Sequence, residues 1–196
     1  MKSYKKMTLF LALLSLCILI SLIIDIYGKY LTVANGNANI PIAKWNIVVN
    51  NMSIKNNSDI SSAITPIFLG NDNIASNIIA PTAQGYFDLN FDFSNVDLSF
   101  SYEILVSASP NSAVSDLIAT GYSIDGGSII PFSDGNRIIT DTIKHSDNII
   151  SRSIRIHIMW DDSSDTSSMN NIDDTLASDS PNGAILEVSI AFTQIT

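Results

Sequence analysis

A two-residue hydrophobic period recurs along most of the chain, and it restricts the fold to half-buried β-strands. In GYFDLNFDF, Phe87, Leu89, Phe91 and Phe93 fall on one side, with Tyr86, Asp88, Asn90 and Asp92 on the other. DLSFSYEILV aligns Leu98, Phe100, Tyr102, Ile104 and Val106. RSIRIHIMW sets Ile154, Ile156, Ile158 and Trp160 against Ser153, Arg155, His157 and Met159. AKWNIVV places Ala43, Trp45, Ile47 and Val49 on one face. AILEVSIAFTQI sets Leu186, Val188, Ile190 and Phe192 against Ile185, Glu187, Ser189 and Ala191. Turn residues punctuate these runs in LGND, APTAQG, SASPNS, IDGG, SDGN and SPNG. LIATGYSI, SIIPF and NRIITDTIKH read as shorter strands between them, with tight hairpins in IDGGSIIPFSDGN.

About eight short strands, each apolar on one face, predict an all-β, antiparallel β-sandwich. One helical exception is expected in TSSMNNIDDTLAS, where Met169, Ile172 and Leu176 have the spacing of one or two amphipathic turns. No repeat or linker divides residues 40–196, so they read as one domain.

The N-terminus obeys different rules. MKSYKK supplies positive charge, and residues 7–24 then carry no charge at all. Such a run is a secretion signal or a membrane-spanning helix, and as a helix it reaches roughly 27 Å. DIYG followed by KY places Gly28 at −1 and Ile26 at −3 of a cut before Lys29, so signal peptidase is an expected partner. The expected organisation is a signal peptide over 1–28, a flexible N-terminal arm over 29–39 and the sandwich over 40–196. The alternative for 1–28 is a retained membrane anchor. Cys17 is the single cysteine and follows Leu16, which disfavours lipidation there, and the domain beyond is free of disulfides.

The charge balance excludes some partners. The chain carries a net −9, and residues 1–28 hold three Lys and one Asp, so the remainder has seven basic and eighteen acidic side chains, a net of −11. That field repels nucleic acid and anionic membrane surfaces, leaving membrane contact to the N-terminal segment. A secreted, extracellular or cell-surface location follows.

Chemistry-bearing constellations are few. WDDSSDTSSMNNIDDTLASD packs six aspartates into nineteen residues. Of these, Asp161, Asp162, Asp165, Asp173 and Asp174 form a calcium candidate by their hard oxygens, although the spacing fits no EF-hand loop. The competing reading is a solvated acidic loop with an aspartate at a helix cap. His145 and His157 lack the helical spacing of a zinc protease and read as exposed strand residues. No Gly-x-Ser-x-Gly elbow is present. Trp45 and Trp160 read as core, and sequons at Asn51 and Asn56 carry little weight in so Asn-rich a chain. No enzyme and no cofactor besides that calcium candidate is expected.

The order of several motifs resembles a family. A long signal ends in a small residue and KY, followed by IAKWNIVVN, IAPTAQGYFDLNFD, HIMWDD, NNIDDT and a closing EVSIAFTQ. This is similar to the TasA/camelysin-like secreted proteins, whose precursors carry SipW-type signal peptides; Gly28 stands where they more often have Ala. The resemblance implies a jelly-roll-like sandwich and a subunit of an extracellular filament or biofilm matrix. It also implies donor-strand exchange among copies of the chain or related subunits, with the arm at Tyr30, Leu31, Thr32 and Val33 completing a neighbour's sheet. The rival expectations are a cell-surface adhesin or calcium-dependent binding module using residues 161–179 and, last, a secreted protease.

Overall fold

The computed structural model describes residues 2–30, 40–55, 58–133, 135, 137–162 and 170–195. The chain forms two compact units, Met1–Pro41 and Ile42–Thr196. The first holds helix α1, Lys2–Tyr30. Its Tyr4–Leu22 stretch is long and apolar enough to cross a membrane, with every side chain exposed, a composition it shares with signal sequences.

The second unit is a β-sandwich. Its elements are β1 (Trp45–Val49), β2 (Met52–Ile54), β3 (Ile67–Phe68), β4 (Gln84–Val96), β5 (Phe100–Ala108), β6 (Leu117–Ile124), β7 (Ile130–Pro131), β8 (Ile138–Ile143), β9 (Ser151–Trp160), helix α2 (Asn171–Ser178) and β10 (Leu186–Gln194). All pairings are antiparallel. The larger sheet runs β2-β1-β4-β9-β6-β7, with β3 also on β4, and the smaller runs β10-β5-β8.

The alternation read from the sequence is what closes the two sheets on each other. Phe87, Leu89, Phe91 and Phe93 of β4 and Ile154, Ile156 and Ile158 of β9 meet Phe100, Tyr102, Ile104 and Val106 of β5 in one core. Aromatic rings stitch the layers, with Phe93 edge-on to Phe100 at 4.9 Å and Phe91 stacked on Tyr102 at 5.8 Å. Trp160 anchors a smaller cluster with Val114 and Leu117.

Local chemistry explains the joints. Asp125 and Gly126 both have positive φ, 50° and 74°, and Gly127 N–H donates to the Ile124 carbonyl at 2.8 Å. That is the type I′ geometry whose twist suits a hairpin. Asp125 is also locked by Arg152, which reaches on to Asp141 of the other sheet at 3.1 Å. At Gly85 a Cβ would lie 2.6 Å from the Phe68 ring and 2.7 Å from the Ile67 carbonyl, so only glycine lets β3 lie against β4.

Three expectations need correction. Trp45 is 43 % exposed and stands at the rim of the core, touching Phe100 edge-on, whereas Trp160 is 4 % exposed as expected. In α2, Ile172 and Leu176 face outward at 72 % and 63 % exposure, and Ala177 is the residue that packs on the Trp160 cluster. Met169 lies outside the described residues. His145 belongs to a 3₁₀ turn, His145–Asp147, and not to a strand.

Candidate functional site

A sandwich of unequal sheets has edges, and the way each edge is treated shows where another strand could add. In the larger sheet β2 is three residues long and β7 only two, ending on Pro131. In the smaller sheet β8 turns Asp141 inward beside Ile139 and Ile143, where it meets Tyr102 Oη and Arg152. Short strands, proline and inward charge are all devices that discourage pairing. β10 has none of them. It is nine residues long, pairs with β5 in unbroken register from Leu186 to Gln194, and contains neither Pro nor Lys. Among the described residues its second edge has no strand partner.

The space beside that edge is open and lined by both apolar and polar groups. Leu186, Val188, Ile190 and Phe192 point into the sandwich but are only half-buried. A cavity of about 780 Å³ separates Ile190 and Phe192 from Trp45, Ile47 and Ile54. A second, of about 850 Å³, separates Leu186 from Phe68, Phe87 and Leu117. Together they make a slot along β10, and the exposed Trp45 stands at one end of it.

The opposite side of the larger sheet is polar. Arg155 clasps Asp88 with Nε and Nη2 at 2.8 and 2.9 Å and lies 3.8 Å over the Tyr86 ring. Hydrogen bonding to Asp88 raises the Arg155 pKa. Burial, then the Arg155 charge, pushes the neighbouring His157 below the usual imidazole range. Its Nε2 is buried without a hydrogen-bond partner among the described residues.

The acidic segment is divided by the fold. Asp161 N–H donates to the Asp116 carbonyl at 3.0 Å as β9 ends, and Asp162 follows. Asp165 lies outside the described residues. Asn170 caps α2 by accepting from Ile172 and Asp173 N–H, and Asp173 accepts in return from Asn170 N–H at 3.5 Å, so Asp173 completes a capping box. Asp174 is half-buried, and burial followed by the charges of Asp162, Asp116 and Asp173 raises its pKa. The structure thus adds Asp116, from the start of β6, to the group read from sequence. Among the described residues no three His, Cys, Asp or Glu side chains converge closely enough to hold a metal ion.

Gly28, Lys29 and Tyr30 fall in the last turn of α1, while Leu31, Thr32 and Val33 lie outside the described residues. No protein-family model and no curated protein matches the chain. The TasA/camelysin-like resemblance therefore rests on motif order alone.

Proposed function

We propose that this chain is an exported structural protein, a filament or biofilm-matrix subunit whose body is a jelly-roll-like sandwich. It assembles when the N-terminal arm of one copy, residues 29–39, adds as a strand to the free edge of β10 in the next. The observation that carries this reading is the nine-residue edge, unpaired among the described residues and flanked by an open slot. Main-chain hydrogen bonds supply length-dependent affinity, each contributing about 0.5–1.5 kcal/mol. Leu31 and Val33 are spaced to enter the slot together, and burying each contributes about 1.5–3 kcal/mol. The hydrophobic leader and the acidic, cysteine-free body suit passage out of the cell.

Deleting residues 29–36 tests the assembly step. Filaments seen by electron microscopy vanish, while circular dichroism keeps the β signature of the monomer. Persisting filaments would reject the mechanism.

A second reading, a surface adhesin or calcium-dependent binding module, draws on the charges of Asp162, Asp116 and Asp173, whose repulsion adds to burial in raising Asp174. A cation that relieved this repulsion would bind with measurable heat and raise the thermal midpoint. Calcium calorimetry with neither effect removes it.

A further inference from the structure

The slot beside β10 is crossed by the protein's own chain. Ser58 and Ile60 line both cavities, and so do Val188 and Ser189 opposite them. The chain at residues 58–60 therefore stands at mid-strand, separating one cavity from the other. Nine paired residues span roughly 30 Å. A strand pairing along all of β10 meets this obstacle before it reaches the far half of the edge.

We infer that residues 58–66 are a displaceable strap that gates strand addition at β10, an inference resting on the strand-acceptor reading above. The bonds that hold the strap are local. Ser58 N–H donates to the Lys55 carbonyl at 3.1 Å, Ala63 to Ile60 at 2.9 Å and Ile64 to Ser61 at 3.3 Å. Asp59 Oδ1 accepts from Ser61 N–H at 2.9 Å. The one described long-range tie is Asn50 Nδ2 donating to the Ala63 carbonyl at 2.9 Å. Ile60 is half-buried, and Ile64 packs at the margin of the core. No backbone pairing joins the strap to β10 among the described residues. Local turns and two partly buried isoleucines open more readily than a paired strand. While the strap is seated, an incoming strand reaches only part of the edge. Apparent affinity is then reduced by the fraction of molecules in which the strap is open.

Hydrogen exchange on the full-length chain in detergent, with an excess of the synthetic peptide spanning residues 29–39, tests this directly. The amides of β10 that point away from β5 gain protection, and those of Ala63 and Ile64 lose it as their turns are displaced. Protection at β10 with Ala63 and Ile64 unchanged refutes the strap and leaves the acceptor edge standing. No protection at β10 under saturating peptide refutes the acceptor edge itself. Ile60→Ser provides a second measurement, because it loosens the strap without touching β10. Peptide affinity then rises by a factor on the order of ten, the gain from freeing a site closed nine-tenths of the time. Unchanged affinity in a variant with native circular dichroism overturns the gate.

Discussion

Asn50 shows how much one side chain can decide. β1 and β3 cover the two ends of the same edge of β4 and leave a gap between them. Asn50, at φ 47°, fills that gap: its N–H donates to the Asn90 carbonyl, its Oδ1 accepts from Asn90 N–H, and its Nδ2 donates to the Asp88 carbonyl. The side chain substitutes for the missing strand residue. Asn50→Gly keeps the backbone conformation and its N–H bond but removes the side-chain pairing, so urea unfolding should show a loss of about 1–3 kcal/mol. Two titrating groups give pH signatures of opposite sign. His157 has a lowered pKa, so the folded state binds a proton less readily than the unfolded chain. Stability is full above the unfolded value of about 6.5 and declines as pH falls below it; His157→Gln flattens that decline in thermal melts across pH 4–8. Asp174 has a raised pKa, so ionising it opposes folding above that value, and the opposition fades as pH falls through it towards 3.8. Asp174→Asn should raise the thermal midpoint at pH 7 and leave it unchanged below pH 3.8. The sequence showed that His157 and Asp174 were present but gave no sign of either shift. Both rest first on burial, which only the fold sets, and Asp174 also on Asp116 from the turn before β6, whereas Arg155 stands two residues from His157 on the same strand face.

At the level of elements, period-two alternation located β4, β5, β9 and β10 because each pairs one buried face with one wet face. For α2, helical spacing located the helix but not its buried side. There the 3–4 spacing of Ile172 and Leu176 predicts an inward stripe, yet the helix packs through Ala177. Helical spacing reports that a stripe exists, whereas its direction is set by where the flanking strands deliver the helix. Edge status was likewise hidden. β10 pairs with β5 across the intervening β6 to β9, and nothing local in LEVSIAFTQ records that its second side lacks a neighbour. Knowing the edge permits a designed block. Ile190→Lys places an inward charge on β10, copying what Asp141 does for β8, and under the proposed assembly should suppress filament formation while the sandwich stays folded. Light scattering and near-ultraviolet circular dichroism read the two halves of that outcome. Trp45 offers an optical check, since a strand seated beside it excludes water and shifts its emission to the blue, while buried Trp160 stays constant.

For the whole molecule, the all-β class and the core of two facing sheets follow from alternation alone. The inequality of those sheets was not legible, because it depends on which strands find partners. Its consequence concerns growth. Among the described residues three of the four edges are blunted and one is open, so under the proposed assembly each copy has a single socket, and its single arm supplies a single plug. Units of that valence polymerise head to tail into polar, unbranched threads rather than networks. A copy lacking residues 29–36 still takes up an arm but has none to offer, so it terminates the tip that presents a free arm. Mixing it in at equal amount should shorten filaments to a few subunits, and length measured against the mixing ratio counts the sockets per molecule.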